Sequence, residues 1–222
     1  MGKSGSRPRR KVPLQWSSDL AYGVGLFATD GCLYNNGRHL SFVSKDVELL
    51  DLFKKSFGLH TKISYKISGT SGQQCPHIQW GDVVLYRFFL SIGITPKKSL
   101  TIGKIVVPEK YFFDFLRGVI DGDGSFYSYY DPRWRSSFMF YLSIASGSPR
   151  FLRWIRAELK SKIGVRGHVT KSSKGITEQL KYAKTEASKI VKKMYYSSRV
   201  PCLTRKRVKI FAALKEAGYL TR

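Results

Sequence analysis

Two nonapeptides decide the fold: Gly23-Val24-Gly25-Leu26-Phe27-Ala28-Thr29-Asp30-Gly31 and Leu116-Arg117-Gly118-Val119-Ile120-Asp121-Gly122-Asp123-Gly124. Each reads as the end of an apolar helix that carries a glycine on one face, Gly25 or Gly118, and closes on Asp-Gly. A glycine inside a helix costs about 1 kcal/mol relative to alanine, so it needs a reason. Close approach of a second backbone supplies one, because without Cβ two helices can pack at short range. Packed against each other through these glycines, the helices bring Asp30 and Asp123 side by side at their C-terminal ends. That end of a helix is electronegative, and two carboxylates placed there repel unless a cation lies between them. The pattern predicts a divalent-metal site. Hard oxygen donors favour Mg²⁺, and the backbone carbonyls of Thr29 and Gly122 are further ligands.

Working outward, the chain uses one pattern twice. The first copy reads as a helix at 17–29, strands at 32–34 and 39–43 around the turn Asn35-Asn36-Gly37, and an amphipathic helix at 46–57 stopped by Gly58. Strands at 62–68 and 77–80 and a helix at 82–92 complete it. The second copy reads as a helix at 109–122, strands at 125–129 and 136–145, and a helix at 149–163. Strands at 167–171 and 177–182 and a helix at 186–195 follow. Asp30 and Asp123 are 123 − 30 = 93 positions apart, whereas LSFVS (40–44) and LSIAS (142–146) are 142 − 40 = 102 apart. The first hairpin of the second copy is therefore nine residues longer. The expected fold is α+β: two pseudo-symmetric αββαββα repeats, each a four-stranded antiparallel sheet with helices on one face. The expected segments are a basic arm (1–13), a first repeat (14–92), a linker (93–108), a second repeat (109–198) and a basic C-terminal segment (199–222).

Charge narrows the partner. The chain has 222 residues with 39 Lys+Arg against 15 Asp+Glu, a net charge of +24. Such a surplus is self-repelling without an anionic partner, and nucleic acid is the first candidate, since phosphates neutralise cations and release counterions. With 42% hydrophobic residues the chain can bury a sizeable core. Its longest apolar run is far short of the ~20 residues of a membrane span. No secretory signal is visible, and Cys32, Cys75 and Cys202 are scattered and odd in number, which points to a reducing intracellular compartment. Cys75-Pro76-His77 lacks a second ligand pair at zinc spacing.

The two Asp-Gly segments resemble the LAGLIDADG motif, and residues 17–210 resemble a single-chain, two-motif LAGLIDADG homing endonuclease. The resemblance implies a saddle of two antiparallel sheets in the major groove of duplex DNA, with the motif helices between the halves. It implies a monomer with no obligate protein partner. The implied activity is metal-dependent cleavage of one phosphodiester per strand, leaving short 3′ overhangs, on a target of about 20 bp or two helical turns. The last acid of each motif, here Asp30 and Asp123, is the implied metal ligand, with Mg²⁺ as cofactor, Mn²⁺ substituting and Ca²⁺ supporting binding without cleavage. An origin in a mobile intron or intein is implied as well. The sixth motif position differs between the copies, Ala28 against Asp121, and Asp121 is expected to be structural. The resemblance also places basic groups at Lys45, whose counterpart is Gly147, and after the last helix of each repeat, where Lys98 and Lys206 are preferred over Lys97 and Arg205. A non-cleaving DNA- or RNA-binding protein on the same fold, such as an intron maturase or a regulator, is the rival.

Strand alternation separates core from surface. Ile63, Tyr65, Ile67, Ile78, Trp80, Phe138, Phe140, Leu142, Ile144, Leu180 and Tyr182 are expected to pack on the helices. The opposite face is expected to meet DNA through Tyr34, Asn36, Arg38, His39, Ser41, Lys62, Ser64, Lys66, His77 and Gln79 in the first repeat. In the second it offers Ser125, Tyr127, Tyr129, Met139, Tyr141, Ser143, His168, Gln179 and Lys181, with Arg133 and Arg135 in the turn taking phosphates. Lys and Gln can read base edges there, and Tyr or Met can touch thymine methyls.

Overall fold

The computed structural model describes residues 14–67, 72–134, 136–171 and 175–219; the expected basic arm (1–13) and Arg135 lie outside the described residues. The first repeat is α1 (Ser18–Asp30), β1 (Gly31–Leu33), β2 (His39–Val43), α2 (Val47–Phe57), β3 (Ser64–Ile67), β4 (Gln74–Gly81) and α3 (Val83–Ser91). The second is α4 (Phe112–Gly122), β5 (Gly124–Tyr130), β6 (Phe138–Ser146), α5 (Pro149–Ile163), β7 (His168–Lys171), β8 (Glu178–Ala183) and α6 (Lys184–Met194). Each forms a four-stranded antiparallel sheet, in the orders β1-β2-β4-β3 and β5-β6-β8-β7. The architecture is the expected α+β double repeat.

Local chemistry explains the boundaries. The Ser17 hydroxyl caps α1 by accepting from Leu20 N–H at 3.1 Å. Gly58 and Gly164 close α2 and α5 with φ of 61° and 70°, a left-handed conformation that glycine adopts without a Cβ penalty. The Asp82 carboxylate accepts from Val84 and Leu85 N–H, both at 2.9 Å, and so starts α3.

α1 is buried on every side from Leu20 to Ala28, as befits a helix with no polar stripe. Its partner is α4. A Cβ on Gly25 would stand 3.0 Å from Gly118 Cα and overlap the Phe115 carbonyl oxygen. A Cβ on Gly118 would stand 3.0 Å from Gly25 Cα and overlap the Tyr22 carbonyl oxygen. The contact is thus backbone on backbone and reciprocal. Around it, each repeat fills its core from the helix side of its sheet. Phe27 stacks on Phe89 at 3.9 Å and Phe42 on Phe53 at 4.3 Å in the first; Phe140, Leu142, Ile144, Leu180 and Tyr182 are buried in the second.

One packing expectation needs correction, and one helix was not foreseen. Tyr65 and Ile67 do not pack on helices: they are 61% and 73% exposed on β3, the edge strand of its sheet, where no residue is buried. The basic C-terminal segment contains a seventh helix, α7 (Thr204–Glu216), whose Ile210, Ala213 and Leu214 are buried. Its apolar spacing (Leu203, Ile210, Leu214, Ala217) is helical but is masked in the sequence by a run of cations.

Gly25→Ala is expected to destabilise the protein by about 2–4 kcal/mol, the cost of overpacking against backbone that cannot rotate aside. Denaturant unfolding of the variant checks this, and an unchanged midpoint would refute the close contact.

Candidate active site

The α1–α4 contact sets the C-terminal ends of both helices together. A Cβ on Gly122 would lie 2.8 Å from Asp30 Oδ2 and overlap the Thr29 hydroxyl, so the first motif's carboxylate abuts the second motif's last turn. The single proton of the Thr29 hydroxyl is shared between the Leu26 carbonyl at 2.8 Å and Asp30 Oδ2 at 3.1 Å. The Asp30 carboxyl is pushed up to about 6, by burial first and by the charge of Asp123 second. The more exposed Asp123 is raised by loss of surrounding water, with Lys98 and Lys206 opposing. Both acids thus sit at electronegative helix ends with little water to solvate their charge.

Two lysines enter it from opposite sides. Lys98, buried in a single 3-10 turn (Lys98–Leu100), donates from Nζ to the Thr29 carbonyl at 2.7 Å. Burial draws its ammonium down to about 8, against the pull of Asp123 and Asp30. Lys97 before it has φ 56°, the only positive φ on a non-glycine among the described residues, a strained conformation that turns the chain inward at this point. Lys206, in the first turn of α7, donates to the carbonyls of Ile120 (2.7 Å), Asp121 (2.8 Å), Gly124 (2.7 Å) and Gly122 (3.3 Å). Each lysine therefore serves the orphan carbonyls at the end of its own repeat's motif helix. Their alternatives point elsewhere: Lys97 is exposed, and Arg205 pairs with Asp46 at 2.6 Å.

The donor set fits a divalent cation. It comprises two carboxylates and the carbonyls of Thr29 and Gly122, and each carbonyl keeps a second lone pair beside its lysine contact. No cluster of three His, Cys, Asp or Glu exists among the described residues, so carbonyl or water oxygens would have to complete a shell. Lys45 is exposed beyond the end of β2. Its counterpart Gly147 is closely packed: a Cβ would lie 2.9 Å from the exposed Leu100 side chain and 3.1 Å from the Ser99 carbonyl.

On the sheets, register lines up the expected surface residues in rows. Ser125, Ser143, Lys181 and His168 stand side by side across four strands, and Cys32, Ser41 and Gln79 form the corresponding row in the first sheet. Tyr127, Tyr141 and Tyr129 stack in a ladder with ring centroids 5.2 and 6.3 Å apart. Tyr34, Asn36, Arg38, Lys62, Ser64, Lys66, Gln79, Ser125, Tyr129, Arg133, His168 and Gln179 are exposed. His39, His77, Tyr127, Met139, Tyr141 and Lys181 are half-buried. Ser41 and Ser143 offer almost no surface, at 3% and 4%; Ser143 instead shares a 2.7 Å hydrogen bond with Ser125. Asn36 and Arg133 are tied within their turns, Asn36 to His39 and Arg133 to Asp131.

A buried polar set lies on α4, of which sequence reading singled out Asp121, as structural, but not Arg117 or Asp114. Arg117 is fully buried, pairs with Asp114 at 2.7 Å, and donates to the Met194 and Pro201 carbonyls. Asp121 Oδ2 accepts from Tyr22 O–H and Leu203 N–H, both at 2.8 Å. The only sequence signal was the contrast with Val24 and Ala28 at the matching positions of the first motif.

Neither a protein-family model nor a curated protein sequence matches the chain. Solved structures do. The meganuclease I-SmaMI bound to uncleavable DNA is 16% identical, with a TM-score of 0.59 over 88% of this chain and 89% of that one. The I-LtrWI LAGLIDADG homing endonuclease bound to target DNA is 12% identical, with a TM-score of 0.56 over 92% and 93%. Full-length DUF199/WhiA from T. maritima is 16% identical, with a TM-score of 0.57; the match covers 96% of this chain and 65% of that protein's length. The chain has the LAGLIDADG fold.

The raised Asp30 carboxyl has a stability consequence. Its folded value, about 6, lies above the unfolded 3.8. Folding is thus favoured by this group below about pH 4, and the contribution is lost as pH rises through about 6. Asp30→Asn is expected to stabilise metal-free protein by about 1–2 kcal/mol at pH 8, discounted for partial exposure, and to add nothing near pH 4. Thermal melts at both values check the sign; a gain at pH 4 as large as at pH 8 would refute it.

Proposed function

We propose that the chain is a sequence-specific, double-stranded DNA endonuclease that acts as a monomer on a long target and hydrolyses one phosphodiester per strand. The observation that carries this reading is the paired Asp30 and Asp123 at abutting helix ends, each flanked by a lysine, in a chain of net charge +24. A purely binding protein gains nothing from setting two mutually repelling carboxylates where phosphates approach. Mg²⁺ is the cofactor of this proposal, with Mn²⁺ able to substitute and Ca²⁺ supporting binding alone.

Asp30 and Asp123 would hold the metal, with the carbonyls of Thr29 and Gly122 beside them. When bound, a divalent ion supplies Lewis acidity and lowers the pKa of a coordinated water. The protein's own groups do the rest. The tight helix pair fixes the spacing of the acids, and with it the separation of the two scissile bonds. Lys98 and Lys206 keep positive charge beside the phosphate oxygens, where negative charge builds as water attacks phosphorus. The rows of Ser, Gln, Lys, His and Tyr on the sheet faces take base edges and methyls in the major groove, and Lys and Arg at the rims take phosphates.

The rival, a DNA- or RNA-binding protein on this fold without cleavage, draws on one observation: the Thr29 and Gly122 carbonyls are already served by lysines. Single-turnover assays on a duplex selected from a randomised library separate the two. Asp30→Asn and Asp123→Asn are expected to lower double-strand cleavage in Mg²⁺ by at least 10³-fold, with binding in Ca²⁺ kept within about tenfold. Tight binding by the wild type with no scission would support the rival. Affinity is also expected to fall with salt at a log–log slope of about −0.9 per phosphate neutralised; a flat titration would refute the electrostatic reading.

A further inference from the structure

The two lysines are held by different means. Lys98 is locked by burial and by the strained residue before it. Lys206 sits on a helix that must be carried to the site, and four consecutive residues carry it. Leu203 N–H donates to Asp121 Oδ2 at 2.8 Å. Thr204 donates to Glu48 Oε1 from N at 3.1 Å and from Oγ1 at 2.5 Å. Arg205 clasps Asp46 through Nε at 3.1 Å and Nη2 at 2.6 Å. Lys206 then reaches the carbonyls at the end of α4. Of these ties, only the one to Asp121 is buried and arises from the same helix that ends in Asp123.

We propose that Asp121 is a positioning residue for one of the two cleavage centres: its carboxylate fixes the start of α7 and so sets Lys206 against the last turn of α4. Geometry carries the inference. Leu203 is the N-cap residue immediately before α7, and an acceptor on its N–H anchors a helix start, where backbone N–H groups lack partners. Asp121 is 1% exposed, and its second acceptor bond, from Tyr22 on α1, fixes the carboxylate from the opposite side. Lys206 donates to Asp121's own carbonyl, so one residue holds the helix start through its side chain and receives the lysine through its backbone. The first motif has Ala28 at this position and no equivalent tie. The role is therefore one-sided. It rests on the nuclease reading, and it predicts that loss of Asp121 makes the two strands unequal.

Asp121 Oδ2 takes both hydrogen bonds, while Oδ1 meets no donor among the described residues. Asparagine with its oxygen in the Oδ2 place keeps both bonds, and alanine keeps neither. The test compares wild type, Asp121→Asn, Asp121→Ala and Lys206→Met as full chains. Amide hydrogen exchange of metal-free protein is read over 203–206, with β6 as internal reference. Cleavage of each strand is read on a duplex labelled differently on its two strands. Asp121→Ala is expected to speed exchange over 203–206 at least tenfold with β6 unchanged, and to slow at least tenfold the same strand that Lys206→Met slows, the other staying within threefold. Asp121→Asn is expected to restore both readouts. Equal slowing of both strands, a bias opposite to that of Lys206→Met, unchanged exchange over 203–206, or an asparagine variant as impaired as alanine would each overturn the proposal. Should the alanine variant melt below the assay temperature, Leu203→Pro deletes the same donor at a φ of −70° that proline accepts. It is held to the same outcomes. A wild type that cuts neither strand would sink the nuclease reading instead, and the exchange experiment would still decide whether Asp121 positions α7.

Discussion

The contact between Gly25 and Gly118 is the constraint from which the rest of the molecule follows. Two helices whose backbones touch cannot slide or rotate without opening a void or forcing atoms together, because packed interiors yield little. The contact is reciprocal: each glycine's missing Cβ makes room for the carbonyl of the other helix's residue one turn earlier. Everything at the C-terminal ends inherits that precision. Asp30 lies against Gly122 because the helices are registered little more than one turn before, and the sheets begin at Gly31 and Gly124, immediately beyond. A glycine pair thus costs helix propensity locally and returns a fixed spacing between two acids.

The second organising feature is an exchange of chain between the halves. The stretch after the first repeat reaches the second: the buried Ser148 hydroxyl donates to the Ile102 carbonyl, and Gly147 is pressed against Ser99. The stretch after the second repeat reaches back to the first through Thr204 to Glu48 and Arg205 to Asp46. Each crossing lies beside a lysine that reaches the paired helix ends. The exposed Arg205–Asp46 pair adds little stability by itself. Its place beside a buried tie and a helix start gives it a role in orientation.

Legibility in the sequence followed the physics. The repeat, the two motif helices and the α2 and α5 boundaries were readable because glycine, Asp-Gly and apolar period leave local marks. Lys98 and Lys206 were readable only to within a residue, since what sets them apart from Lys97 and Arg205 is a left-handed residue and a partner just before α2, neither of which leaves a local mark. The exposure of Tyr65 and Ile67 was not readable, because alternation says which residues share a face and not whether anything covers it. Nor was the burial of Ser41 and Ser143, where small side chains sink between larger neighbours. Arg117 was hidden for another reason: a charged residue inside an apolar motif reads as surface until its acceptors, the carbonyls of Met194 and Pro201, are brought to it by chain more than 70 residues away.

That hidden polar set explains why the two halves are not copies. A symmetrical pair would have Val24 and Ala28 matched by apolar residues on α4, and the chain after α6 would lose its buried polar anchors there. With Arg117 and Asp121 in their place, leaving that chain undocked would strand a buried guanidinium and a buried carboxylate, a penalty of several kcal/mol. The correct docking satisfies Arg117 through Met194 and Pro201, and Asp121 through Leu203, in one movement. The polar residues add little net stability to a packed core, but they make every other path for residues 194–206 worse. Arg117 and Asp121 are thus one place where the sequence departs from its own symmetry, and the departure serves the docking of residues 194–206.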